Sequence, residues 1–137
     1  MPLPKLNWEA VSNINHELAA LAVDAKLCTE WKSDSQNEGD YFELDLGKVQ
    51  KIRGISLRIG QKPLEYPRSY KVQVSADGIH CKKIAQAHNS LLPLKAFLRP
   101  RDIYLDIVFP AENPRYLRII ITRKNKNPWS LAELEVW

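Results

Sequence analysis

The stretch Tyr41–Gly60, YFELDLGKVQKIRGISLRIG, contains two strand patterns joined by a tight polar turn. In its first half Phe42, Leu44 and Leu46 alternate with residues of the opposite face, which is the period-two pattern of a strand with one buried side. Gly47 then interrupts the alternation. The rest of the chain is predicted to pack on these two strands.

The second half of the stretch has a change of phase. Ile55, Leu57 and Ile59 share one face, whereas Ile52 is out of step with them. Gly54 lies where the phase changes, and one extra residue in a strand produces this shift while glycine tolerates the local distortion. The sequence therefore predicts a β-bulge at Gly54.

Similar alternation elsewhere predicts a mainly β fold. Further strands are expected at residues 7–12, 70–76, 81–85, 103–109, 115–122 and 134–136, the last with Glu133 and Glu135 facing outward. The pair Asp77-Gly78 is a turn signal that makes 70–76 and 81–85 a hairpin. Short strands between turn signals, with little helix, indicate an antiparallel β-sandwich or jelly roll.

The remaining segments are predicted to be short or irregular. One or two helical turns are expected within Asn13–Asp24, with Leu18, Leu21 and Ala22 on one side. A long loop follows from Ala25 to Asp40, pinned by a buried Trp31. His88–Pro100 is predicted to be irregular.

Composition limits the class of protein. The 137 residues suit one domain, spanning 1–137, that buries a core without disulfide or metal staples. A hydrophobic fraction of 45% and a charged fraction of 26% are ordinary for a globular protein. The net charge of +4 is spread along the chain, so no nucleic-acid partner is expected. Cys28 and Cys81 are too few for a disulfide framework or a thiolate metal site.

No targeting or membrane segment is expected. No apolar run approaches the roughly 20 residues of a transmembrane helix, and the opening residues lack the apolar core of a signal peptide. The last strand pattern reaches Trp137 without a tail, as expected for a domain excised from a larger protein. The localisation of that protein is left open.

Five pieces of sequence, in order, resemble a discoidin domain of the coagulation factor V/VIII C type, a galactose-binding-like fold. They are Ala22-Val23-Asp24 with Thr29-Glu30-Trp31-Lys32-Ser33, then Glu43-Leu44-Asp45-Leu46-Gly47, then Pro67–Ser75 with Asp77-Gly78, then Arg115–Ile119, then Ser130–Val136. The ending SLAELEV is similar to that of bacterial family-32 carbohydrate-binding modules. The clotting domains join their two ends by a disulfide, and both cysteines here are internal.

The resemblance implies a function and partners. Family-32 modules are non-catalytic, bind terminal sugars of the galactose or N-acetylhexosamine type, and accompany glycoside hydrolases. The chain is therefore expected to bind a glycan as a monomer, to serve an enzyme domain attached in cis, and to act extracellularly or at a cell surface. The affinity of one shallow site is expected to be in the micromolar to millimolar range, roughly, because few atoms are buried.

The resemblance also implies a structural calcium ion. Its ligands would include Asp24, Thr29 and Glu133, which match family positions. Ala25 and Lys26 depart from the family's loop motif, and calcium prefers six to eight oxygen ligands. The sequence leaves calcium binding open.

Sugar recognition requires an apolar platform and planar polar groups at one loop end. Trp129, beside the polar loop Arg123–Asn127, is predicted to stack on the sugar, although it is also suited to plugging the end of the sandwich. The predicted polar contacts are Asp34, Glu65, Tyr66, Arg68, Arg123, Asn125 and Asn127. For Arg68 a structural salt bridge is the alternative.

The sequence is also compatible with other functions. A discoidin domain also serves as a protein-interaction module through the same loops, and Arg123, Lys124 and Lys126 would attract an anionic polymer or lipid head group. Glu133 and Glu135 have a spacing compatible with glycosidase carboxylates, but such pairs on a strand are usually solvated. No HExxH, GxSxG or phosphate-loop motif is present, so no enzymatic activity is predicted.

Overall fold

The computed structural model describes residues 2–5, 7–25, 29–59, 64–88 and 104–137. Apart from His88, the predicted irregular segment His88–Pro100 lies outside these ranges, as does the predicted strand start at Ile103.

The described residues form antiparallel sheets. Their strands are β1 Glu9–Ser12, β2 Trp31–Lys32, β3 Tyr41–Asp45, β4 Ile52–Arg58, β5 Tyr70–Ser75, β6 Lys82–Ala87, β7 Tyr104–Glu112, β8 Tyr116–Ile121, β9 Ser130–Leu131 and β10 Glu133–Val136. One sheet has the order β1-β3-β8-β5-β6, a second has the order β10-β4-β7, and β2 pairs with β9. The prediction of an all-β antiparallel sandwich is confirmed, including the β5–β6 hairpin around Asp77-Gly78.

The core lies between the sheets and follows the predicted alternation. Phe42 and Leu44 of β3 are fully buried, and their cross-strand partners in β8 are Ile119 and Leu117. Across the sandwich Leu57 of β4 is equally buried. Inward residues at every second position therefore supply the apolar surface that stabilises the sandwich.

The strands β3 and β4 do not form a hairpin with each other. They belong to different sheets, so the turn between them carries the chain from one face of the sandwich to the other. Gly47 has a positive φ of 80° in this turn, and a Cβ atom there would lie 2.9 Å from the Asn7 carbonyl oxygen. Arg115 stabilises the end of β3 through a bidentate contact with Asp45, with N–O distances of 2.9 and 3.1 Å.

The predicted bulge in β4 is confirmed. The register between β4 and β7 shifts between Ile52 and Gly54. Trp137 packs directly over this glycine, because an added Cβ would lie 2.7 Å from the Trp137 ring. The Trp137 backbone also exchanges hydrogen bonds with Gly54, at 2.9 and 3.0 Å.

The predicted helical segment is a 3₁₀-helix, His16–Ala22. Its buried residues are Ala19 and Ala22, so the prediction is confirmed for Ala22 and wrong for Leu18, which is exposed. The reason is periodicity, since three residues per turn align positions 19 and 22. This seven-residue helix, alone in the described part of the chain, is too short and too polar to cross a membrane.

The prediction that Glu133 faces solvent is also wrong. Its side chain is only 4% exposed and forms an ion pair with Lys5. The N-terminal segment covers this face of β10, where the Leu3 amide donates to the Val136 carbonyl oxygen at 2.7 Å.

Candidate functional site

Three loops meet at one end of the sandwich, which we call the loop end. They are residues 33–40 before β3, residues 64–69 before β5, and residues 122–129 after β8. The pairings of Tyr41 with Ile120 and of Tyr70 with Ile121 place these loops at the same edge of the sheet. The loop end thus gathers all the predicted sugar-contact residues.

Gln36 links the three loops. Its backbone forms a bridge with Asn125, with N–O distances of 2.9 and 2.8 Å. Its side-chain amide donates to the Tyr66 carbonyl oxygen at 2.9 Å and accepts from the Arg68 amide at 3.0 Å. Because Gln36 is fully buried, these bonds fix the relative positions of the loops. Sequence analysis missed this residue, since a polar loop residue carries no periodic signal.

The prediction that Trp129 is an exposed stacking platform is wrong. Trp129 is fully buried, and its ring meets that of Trp31 edge to face, with centroids 4.9 Å apart. Its backbone is tied to Ser33, whose amide donates to the Trp129 carbonyl oxygen at 2.8 Å and whose hydroxyl accepts at 2.9 Å. Trp129 instead has the alternative role and plugs the end of the sandwich. Its burial against Trp31 removes two large apolar rings from water together, which stabilises the fold.

Glu65 lies beneath the surface of the loop end. One carboxylate oxygen is 2.7 Å from the Lys32 ammonium, and this hydrogen bond raises the pKa of Lys32. The other oxygen is buried and has no hydrogen-bond partner among the described residues. The Glu65 carbonyl oxygen accepts from the Ser130 amide at 3.0 Å. Glu65 therefore supports the loop from below rather than facing solvent.

Arg68 is held against Tyr66. Its guanidinium carbon is 3.9 Å from the centroid of the Tyr66 ring, and one terminal nitrogen donates to the Leu64 carbonyl oxygen at 2.7 Å. The Nε atom of Arg68 is buried without a hydrogen-bond partner in the described structure. No salt bridge to Arg68 is found within the described ranges, so the alternative structural role considered above is not observed there.

Thr122, in the neighbouring loop, adds a third buried polar group without a partner in the described structure, after those of Glu65 and Arg68. Its amide donates to the carbonyl oxygen of Ser69, which follows Arg68, at 2.9 Å. Its hydroxyl is buried without a partner among the described residues. Buried polar atoms of this kind are normally satisfied by water or by a ligand.

The other predicted contacts surround this point. Asp34 and Arg123 are exposed, whereas Asn125 and Asn127 are half-buried. The Asn125 side chain accepts from the Asn127 amide at 2.9 Å, which shapes the tip of its loop. Lys124 and Lys126 are exposed and, like Arg123, form no ion pair in the part of the chain that the structure describes.

The residues implied for calcium are not part of the three loops that form the loop end. Thr29 donates to the Asp24 carboxylate at 2.6 Å. Glu133 forms an ion pair with the Lys5 ammonium, although neither of its buried carboxylate oxygens has a hydrogen-bond partner among the described residues. Burial lowers the pKa of Lys5, while the charges of Glu135 and Asp24 raise it. Within the described ranges no cluster of three His, Cys, Asp or Glu residues is suited to a metal ion.

The antiparallel sandwich, with its loops gathered at one end, has the fold of galactose-binding-like domains. The family model of the F5/8 type C domain matches residues 7–134, and the chain belongs to this family. Domains of this family are non-catalytic binding modules, in agreement with the prediction that the chain is not an enzyme. No curated protein matches the chain significantly.

Solved structures share the fold at low sequence identity. The module CpGH89CBM32-5 from Clostridium perfringens, in complex with GalNAc-β-1,3-galactose, is 20% identical with a TM-score of 0.81, over 100% of this chain and 99% of that chain. The family 32 module of C. perfringens NanJ, in complex with galactose, is 16% identical with a TM-score of 0.77, over 98% and 96%. A family 89 glycoside hydrolase from C. perfringens is 21% identical with a TM-score of 0.70, over 97% of this chain and 14% of that chain.

Proposed function

We propose that this chain is a carbohydrate-binding module that holds a glycan at the loop end and catalyses no reaction. Arg68 carries the proposal, because its guanidinium is fixed on Tyr66, its backbone amide donates to Gln36, and its Nε donor has no partner among the described residues. A pre-positioned donor binds a ligand without first losing side-chain freedom. Galactose and GalNAc-β-1,3-galactose bound to similar modules support this proposal.

The ligand class is a terminal sugar of the galactose or N-acetylhexosamine type. A guanidinium group presents several N–H donors in one plane, which suits two neighbouring ring hydroxyls. The amides of Asn125 and Asn127 both donate and accept, so they complement hydroxyls that do the same. Asp34 and Arg123, exposed at the rim, complete the polar contacts.

With Trp129 buried, the apolar contact for the sugar comes from another residue. Leu64 is 57% exposed, and its carbonyl oxygen binds the Arg68 guanidinium. We assign it the apolar contact, with an aliphatic surface in place of an aromatic one. Affinity is therefore expected at the weak end of the micromolar to millimolar range, roughly.

The test compares Arg68→Ala with wild type on a glycan array and by calorimetry with the best ligand. Loss of one charge-assisted hydrogen bond costs about 1.5–3 kcal/mol, which is roughly a 10- to 100-fold loss of affinity. Arg53→Ala is the matched control, because Arg53 is an exposed arginine on β4 beside the bulge. Full binding by a folded Arg68→Ala would contradict the proposed site.

The proposed role of sugar binding is to hold an attached enzyme near its substrate. A similar domain forms part of the longer family 89 glycoside hydrolase, which supports this arrangement. Tethering raises the effective concentration of the enzyme at the glycan surface. Fused to a hydrolase, the wild-type chain should accelerate cleavage of an immobilised glycan, and Arg68→Ala should remove the advantage while leaving cleavage of a soluble substrate unchanged.

The charge of the loop end favours one second candidate. Arg123, Lys124 and Lys126 are exposed and unpaired within the described residues, so an anionic polymer would find three cations on one loop. Binding of this kind depends strongly on salt, which separates it from recognition of sugar hydroxyls.

A further inference from the structure

The opening residues of the chain form a charged cluster against the last strand. The hydrogen bond between Leu3 and Val136 aligns the N-terminal segment with β10. It places the ammonium group of Lys5 on the carboxylate of Glu133, with the two side chains only 19% and 4% exposed. None of the proposed sugar contacts belongs to this pair.

The surroundings of Lys5 are those of an enclosed cation. The negative charges of Asp24 and Glu135 both act on its ammonium group. Its Nζ atom is 6.0 Å from the centroid of the Trp8 ring. Asp24 is itself held by the hydroxyl of Thr29, at 2.6 Å. Lys5 therefore forms an ion pair with Glu133 and also feels the negative charge of Asp24.

We propose that the Lys5 ammonium is the resident cation of this site and takes the place of calcium, so that the fold does not depend on calcium. A buried carboxylate requires a compensating charge, and Lys5 supplies it to Glu133 from within the chain. Calcium needs six to eight oxygen ligands around it. An ammonium group on Glu133 occupies one of those directions and repels a second cation.

Two variants of Lys5 separate the effect of its charge from that of its side-chain volume, and a third variant is the control. Lys5→Ala removes the ammonium and leaves a space beside Asp24 and Glu133, which calcium is expected to enter. Lys5→Met removes the charge but keeps most of the bulk, so calcium remains excluded. Lys48→Ala is the matched control, because Lys48 is an exposed lysine in the turn after β3 and takes no part in any ion pair found in the described chain.

The experiment is thermal unfolding of each protein in excess EDTA and in millimolar calcium. Wild type and Lys48→Ala are expected to unfold at the same Tm in both solutions. Lys5→Ala and Lys5→Met are expected to lose about 10 °C in EDTA, because a buried charge is left unpaired. Calcium should restore part of the loss in Lys5→Ala only.

The proposal is overturned if EDTA lowers the Tm of wild type, or if calorimetry shows calcium binding to wild type. It is equally overturned if Lys5→Ala unfolds like wild type in EDTA, or if calcium leaves that variant unchanged. A further variant, Glu133→Gln in the Lys5→Ala background, should recover stability without calcium, since it removes the uncompensated charge. These outcomes do not depend on sugar binding, which can fail or succeed separately.

Discussion

Trp129 and Trp31 form an edge-to-face pair under the loop end, and Phe42 continues the cluster with its ring centroid 5.2 Å from that of Trp31. Trp129→Ala should destabilise the protein by about 3–5 kcal/mol, because it leaves a large cavity in a dense core. Urea denaturation followed by far-UV circular dichroism measures this change. Trp129→Phe, which keeps most of the ring volume, should lose less.

The same variants test whether Trp129 stabilises the fold or stacks on the sugar. A structural tryptophan affects sugar binding only through the fold, so Trp129→Phe should bind a glycan as wild type does at a temperature where both are folded. Loss of binding by a fully stable Trp129 variant would restore the stacking role.

The turn between β5 and β6 contains two titratable residues in contact, His80 and Asp77. The His80 ring nitrogen lies 2.7 Å from the Asp77 carboxylate, and this contact raises the pKa of His80 and lowers the pKa of Asp77. A raised folded-state pKa for His80 means that its stabilising contact is fully present below about pH 6.5 and is lost as pH rises through the folded value. The folded-state pKa of Asp77 is lowered, so its contribution to stability is present above its ordinary pKa and is lost only in strong acid.

Asp77→Asn should lower the pKa of His80, because the amide carries no charge. An NMR titration of the His80 ring protons in both proteins measures the shift. The pair is exposed, so little change in global stability is expected. An unchanged His80 midpoint in Asp77→Asn would show that the contact is absent in solution.

At the scale of elements, the packing of β4 against β7 and Trp137 requires that residue 54 have no side chain. Gly54→Ala places a methyl group 2.7 Å from the Trp137 ring and 2.9 Å from the Ile107 carbonyl oxygen. The strand must shift or the tryptophan must move, at a cost of about 1–3 kcal/mol for an overpacked site. Chemical denaturation of Gly54→Ala measures the loss.

A second variant identifies the cause of that loss. Trp137→Leu in the Gly54→Ala background removes the ring contact but keeps the clash with the Ile107 backbone, so rescue should be partial. If the double variant lost the full sum of both single losses, the ring would not be the obstacle.

The strands were predictable because the period of two shows directly which side chains are buried. Phe42, Leu44 and Leu46 are buried as the alternation indicates, and the change of phase at Gly54 marks a real shift of register. Periodicity does not identify the neighbouring strand, however. For this reason the pattern over Tyr41–Gly60 gave two strands and a turn, but not their placement in separate sheets.

The candidate site was predictable as a set of loops and not as individual contacts. A tryptophan beside a polar loop has the same local sequence whether its ring points inward, as Trp129 does, or outward. Gln36 and Lys5 act through partners far along the chain, so their roles emerge only when the fold brings Tyr66, Asn125 and Glu133 to them.

At the scale of the whole molecule, charge distinguishes the two candidate ligands. The chain carries a net charge of +4, and three exposed cations on the loop after β8 form no ion pair with the residues that the structure describes. The hydrogen bonds proposed from Arg68 and the asparagines to neutral sugar hydroxyls would be short-range contacts. Salt screens charges over roughly 10 Å at 0.1 M and about 3 Å at 1 M, so it weakens long-range attraction more than such contacts.

Binding of a neutral galactoside should therefore change little between low and high salt, and the triple variant Arg123→Ala, Lys124→Ala and Lys126→Ala should lose only the rim contact of Arg123. Calorimetric titrations across a salt series measure both proteins. A steep loss of affinity with salt, abolished in the triple variant, would instead assign the loop end to an anionic polymer, because that dependence reports released counterions. Arg68→Ala separates the cases further, since it should remove sugar binding and lower polymer binding only in proportion to one charge among four.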